Sequence, residues 1–128
     1  MEHYLLPVNL MAKRILFADD EDDIRLVVGI LLKKAGYLTT IYEDGSFIHD
    51  IETLEVPDIY ILDRRLGKTD ALDICYLLKA HPKTKHVPVI MVSADPTIKD
   101  LYKAAGADAF IPKPFEQAKF LDTIAGLI

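Results

Sequence analysis

The stretch that most constrains this chain is Ile59 to Asp70, IYILDRRLGKTD. Four consecutive apolar residues, Ile59-Tyr60-Ile61-Leu62, suit a strand buried on both faces, the habit of parallel sheets covered by helices. The run stops at a carboxylate, Asp63, and a charged turn follows. In open parallel sheets ligands collect beyond the carboxyl ends of the strands, which makes an acid there a site candidate. A solvated Asp opening a loop is the plainer alternative.

The rest of the chain repeats that grammar. Lys13 to Ala18 (KRILFA) is a short apolar strand running into five acids, Asp19 to Asp23. Ile24, Val27, Val28, Leu31 and Ala35 then fall on one helical face, stopped at Gly36. A strand over Tyr37 to Tyr42 follows. A second helix is expected after Asp44 as N-cap, with Phe47, Ile48, Ile51 and Leu54 inward. Beyond the central strand, Asp70 caps a helix over Ala71 to Ala80 that buries Ile74, Cys75 and Leu78 and ends at His81-Pro82. Val87 to Val92 (VPVIMV) is another continuously apolar strand, and it ends in Ser93. Asp95-Pro96 starts a helix with Ile98, Leu101 and Ala105 inward up to Gly106. A fifth strand, Ala109 to Ile111, leads to Lys113-Pro114, and a last helix covers Phe115 to Ile128. Five strands alternating with five helices imply an α/β fold, a doubly wound (βα)5 sandwich around a parallel sheet.

Composition sets the bounds. A chain of 128 residues, 51% hydrophobic and 27% charged, suits one globular domain burying roughly two thirds of its extended surface. A net charge of −5 argues against a nucleic-acid partner, which requires clustered Lys and Arg. No stretch is long enough to span a membrane. The single Cys75 has no disulfide partner in the chain, which points to packing in a reducing, cytoplasmic setting. Residues 1–12 lack a cationic start and contain Pro7, so they read as an N-terminal tail, with Met11 a candidate alternative start and residues 13–128 the domain. His3, His49, His81 and His86 are scattered without ligand spacing.

If the sheet is parallel, Asp19, Asp20, Asp63, Ser93 and Lys113 emerge on one edge. Three clustered carboxylates repel and require a cation or protons. Carboxylate oxygens without His or Cys suit Mg²⁺ or Mn²⁺, which would neutralise charge on a group transferred to Asp63 while Ser93 and Lys113 hold its remaining oxygens.

These residues carry a family resemblance. The acidic pair in FADDED, the Asp of ILDRRLG, the Ser-Ala of VSAD and the Lys-Pro of FIPKPF, in this order over residues 13–128, resemble the receiver domains of two-component response regulators, with their flavodoxin-like sheet of order 2-1-3-4-5. The resemblance implies Asp63 as phosphoacceptor, served by a sensor histidine kinase or a histidine phosphotransfer protein. It implies Asp20, Asp63 and the backbone carbonyl of Arg65 as direct metal ligands, with Asp19 helping through water. Ser93 would be the switch hydroxyl, Lys113 the ion-pairing residue and Lys113-Pro114 a cis bond. Phe110 stands where the family often has Tyr. It would turn inward on phosphorylation and shift the surface made by the helix after Asp95, the strand 109–111 and the last helix. Such a protein is a signalling phosphoacceptor, catalysing only its own phosphorylation and dephosphorylation.

Arg64-Arg65-Leu66-Gly67 replaces the usual Met-Leu-Pro, and Asp70-Ala71 the usual Asp-Gly. Arg65 and Asp95, each two positions beyond a site residue, are expected to form an ion pair across the entrance that hinders attacking water. A flavodoxin-like nucleotide binder would need glycines and hydroxyls where FADDED offers carboxylates. A phosphatase of the haloacid dehalogenase class would need an acid where Arg65 stands. The remaining alternative is a receiver-shaped interaction module indifferent to phosphorylation. With no further domain after Ile128 the chain is expected to act alone, through an unidentified downstream protein. Homodimerisation on phosphorylation stays open.

Overall fold

The computed structural model describes residues 12–128. The tail expected over residues 1–12, with His3, Pro7 and Met11, falls almost entirely outside the described residues. Five parallel strands form the central sheet: β1 (Arg14–Ala18), β2 (Leu38–Tyr42), β3 (Ile59–Asp63), β6 (Val89–Ser93) and β7 (Ala109–Pro112). Their order is β2-β1-β3-β6-β7. A two-residue antiparallel ladder, β4 (Arg65–Leu66) against β5 (Thr69–Asp70), is inserted after β3. Apart from that ladder the order is the expected 2-1-3-4-5.

Alternation along the strands divides the core. Ile15, Phe17, Ile59, Ile61, Ile90 and Val92 face one side, where α1 (Asp22–Lys34) contributes Val28 and Leu32 and α4 (Gln117–Leu127) contributes Phe120 and Ile124. Leu16, Ala18, Tyr60, Leu62, Val89 and Met91 face the other, packed with Ile74, Cys75 and Leu78 of α2 (Ala71–Ala80). Every residue of β3 and β6 is buried. Their apolar runs, roofed on both faces, therefore deliver Asp63 and Ser93 to the same edge.

The helix ends follow local chemistry. Asp22 and Asp23 open α1 and Lys33 and Lys34 close it, matching the helix dipole, and Gly36 at φ 93° permits the reversal into β2. Asp70 caps α2 by accepting from the Leu72 amide at 2.9 Å.

Several expectations are corrected. The helix expected after Asp44 is a short 3-10 segment, Ser46–Asp50. Asp44 binds the Ser46 amide in a tight turn, and Phe47 is buried with its ring centroid 5.3 Å from Tyr42 and 6.3 Å from Tyr60. One tight turn thus seats the aromatic anchor, while Ile48, Ile51 and Leu54 pack only half-buried against the core. The helix expected from Asp95 to Gly106 is regular only in α3 (Ile98–Leu101), and Leu101 is 41% exposed. On α1 the buried stripe is Val28 and Leu32, while Val27 is 52% exposed and Ala35 also faces solvent. The last helix starts at Gln117, two residues later than expected, with Ala118 and Ala125 exposed.

Candidate functional site

Asp19 directly follows β1, and Asp63, Ser93 and Lys113 end or directly follow β3, β6 and β7. All four converge on an open cleft of about 570 Å³ or its floor. The cleft is lined by Asp20, Glu21, Asp63, Arg65, Ser93, Ala94, Asp95 and Lys113. Asp19 is fully buried beneath it.

Lys113 organises the charge. Its Nζ lies 2.8 Å from Asp19 Oδ2, 3.3 Å from Asp63 Oδ1 and 3.6 Å from Glu21 Oε1. The backbone amide of Lys113 donates to the Ser93 carbonyl at 2.9 Å, which anchors this side chain to the end of β6. The Lys113-Pro114 bond is cis, as expected. Burial opposes the charged ammonium, but the hydrogen bond to Asp19 and the charges of Asp63 and Asp19 outweigh it and hold Lys113 above the usual lysine value.

Asp63 has the opposite problem. Burial, then the neighbouring Asp19 charge, push its carboxyl up to about 6, with Lys113 opposing and Asp20 adding to the rise. The carboxylates of Asp19, Asp20, Glu21, Asp63 and Asp95 outnumber the cations of Lys113 and Arg65, which leaves the cleft negative. The acidic loop is braced from behind: Asp19 Oδ1 accepts from the Glu21 amide at 2.9 Å, and Arg25 donates to the Asp19 carbonyl at 2.8 Å while pairing with Asp22.

The donor set suits a hard divalent cation. Asp19, Asp20 and Glu21 each offer a carboxylate oxygen within 4.8 Å of the others, and neither His nor Cys lines the cleft. Glu21 was missed as a site residue at the level of sequence. Its signal was present as the third acid of FADDED, directly before the two acids that open α1.

Arg65 and Asp95 both line the cleft. The expected ion pair between them, however, is made by Arg64, whose Nη1 lies 2.7 Å from Asp95 Oδ2. Arg65 is exposed in the β4–β5 ladder and acts on Asp95 only as a nearby charge. Ser93 is 5% exposed, and its Oγ accepts from the Asp95 amide at 3.0 Å. Phe110 is half-buried, its ring centroid 5.9 Å from that of Tyr102. Cys75 is buried away from the cleft, its thiol pushed up to about 11 by burial. His49 and His86 are exposed and His81 pairs with Glu52.

A family model described as the response regulator receiver domain matches residues 15–125. The chain belongs to the response regulator receiver domain family. This receiver domain is 32% identical over 117 residues to the DNA-binding dual master transcriptional regulator RpaA of Synechocystis sp., covering 90% of this chain and 48% of that protein. Its fold is similar to the signal receiver domain of a signal transduction histidine kinase from Syntrophus aciditrophicus, at TM-score 0.82 and 27% identity over 91% of this chain and 89% of that one. It is also similar to response regulator protein TrrA from Thermotoga maritima, solved in complex with Mg(2+)-BeF, at TM-score 0.79 and 26% identity over 91% and 99% of the two chains. The receiver domain spans between 17% and 53% of the first curated relatives it matches. Among the described residues, no helix is long and apolar enough to cross a membrane.

Proposed function

We propose that this receiver domain accepts a phosphoryl group on Asp63 from a phosphohistidine of a sensor histidine kinase or phosphotransfer protein. The observation that carries the reading is Asp63 itself, a buried carboxylate at the floor of an open acidic cleft, paired at 3.3 Å with an ammonium that Asp19 also holds. A carboxylate oxygen of Asp63 attacks phosphorus, the bond to the donor imidazole nitrogen breaks, and an acyl phosphate results. Burial strips Asp63 of water, so its ionised form is a poorly solvated nucleophile.

Asp20, Asp63, the backbone carbonyl of Arg65 and, through water, Asp19 would hold Mg²⁺ or Mn²⁺, with Glu21 alongside. When bound, the ion supplies positive charge against the negative charge of the transferred group. Lys113 keeps Asp63 and Asp19 in register and takes one phosphoryl oxygen. Ser93 takes another with its hydroxyl. Phe110 packs on Tyr102 beside β6, where Met91 is its register partner. That contact supports coupling of the Ser93 movement to the face made by α3, β7 and α4, where a downstream protein would bind.

The test is intact mass after incubation with Mg²⁺ and a small acyl phosphate. One added phosphoryl group, lost in Asp63→Asn and in chelator, is the expected result. An equal increment in Asp63→Asn would sink the reading, and no increment in the parent chain would leave a module that binds without phosphorylation.

A further inference from the structure

We infer that Arg64 is a positioning residue that restrains the Ser93–Thr97 loop in its unphosphorylated conformation, an inference that rests on the phosphoacceptor reading of Asp63. Arg64 immediately follows Asp63, and its backbone is fixed on both sides: its amide donates to the Val92 carbonyl at 3.0 Å, and its carbonyl accepts from the Ala71 amide at 2.8 Å. The guanidinium therefore starts from a rigid base.

From there Nη1 donates to Asp95 Oδ2 at 2.7 Å and to Thr97 Oγ1 at 3.0 Å. Nε and Nη2 reach Asp70 Oδ2 only at 3.4 and 3.5 Å, so the arm toward Asp95 and Thr97 is the stronger one. Asp95 is held from its other side too, its Oδ1 accepting from the Thr97 amide at 2.9 Å and the Thr97 hydroxyl at 2.8 Å. The chain of contacts ends on the site, because the Asp95 amide donates to Ser93 Oγ at 3.0 Å. With Asp95 clamped, that amide keeps the hydroxyl where it is. For Ser93 to approach a phosphoryl group on Asp63, the amide must follow or let go, and either motion works against the clamp. The guanidinium is about one-fifth exposed and Asp95 about one-third, so water screens the pair only in part.

Arg64 acts through Asp95 and does not touch the reacting atoms. Removing it frees the loop to adopt the phosphorylated conformation and so favours a phosphoryl mimic. A ligand gains apparent affinity when its competent state is populated beforehand.

The test titrates beryllofluoride with Mg²⁺ into the whole chain and follows backbone amides by NMR. Arg64→Met is expected to bind about three- to tenfold more tightly than the parent chain, Arg64→Lys in between, and Asp95→Asn in the same direction as Arg64→Met. In Arg64→Met without beryllofluoride, the amides of Ser93, Ala94, Asp95 and Thr97 are expected to lie part-way along the line from the parent's free to bound positions. A merely structural role lowers stability without that displacement. Equal or weaker binding by Arg64→Met and Asp95→Asn, in a parent that does bind, overturns the inference alone. A parent that shows no binding overturns the phosphoacceptor reading, and this inference with it.

Discussion

Lys113 and Asp19 stand 94 positions apart in the chain, yet their side chains meet at 2.8 Å beneath the cleft, with Asp19 fully buried. An acid sealed from water keeps its charge only if a partner compensates it. Lys113→Met removes that partner from Asp19 and Asp63 together. The expected loss is about 3 kcal/mol of stability in chelator at pH 7.5, read from urea midpoints, with part of it restored by Mg²⁺. A loss under about 0.5 kcal/mol would show that solvent replaces the ammonium.

Asp63 makes metal-free stability depend on pH in the direction opposite to that of an ordinary paired acid. Its carboxyl titrates near 6 in the folded chain against 3.8 ordinarily. Below about pH 4 both states hold the proton. Between about pH 4 and 6 the unfolded chain releases it first, so stability falls as pH rises and levels off above about 6. The difference is roughly 2 to 3 kcal/mol. Asp63→Asn is expected to remove this slope and to be the more stable protein at pH 7.5 in chelator. Parallel denaturation profiles at pH 4.5 and 7.5 would refute it.

Divalent-metal titration is expected to separate the acids of the cleft. Asp20 is exposed at its mouth, and among the described residues none hydrogen-bonds to its carboxylate and competes for its oxygens. Asp20→Asn should weaken Mg²⁺ by about tenfold or more in calorimetric titration, as loss of a carboxylate ligand does. Glu21, whose carboxylate already faces Lys113 at 3.6 Å, should cost less when changed to Gln. Equal losses in the two variants would place Glu21 among the direct ligands.

Much of the site could be read from residues alone. Asp63, Ser93 and Lys113 each close an apolar run, and a run buried on both faces belongs to a parallel sheet whose strand ends share one edge. Arg64 could not be assigned in the same way. Arg64 and Arg65 are neighbours of identical chemistry, and which one meets Asp95 depends on side-chain direction at the strand end, which counting positions does not supply. The 3-10 segment at Ser46–Asp50 was equally hidden, because its apolar spacing fits a helix and only the packing of Phe47 between Tyr42 and Tyr60 favours one tight turn.

The chain's own order thus determined the layers, the strand edge and the three groups delivered there, since burial runs and their polar ends are local properties. Only the tertiary structure decided the partners: Arg64 on Asp95, Glu21 near Lys113, and Lys113 shared by Asp19 and Asp63. The reason is geometric. Ion pairs depend on angstrom distances between loops far apart in sequence, and those distances are set by how the helices seat on the sheet.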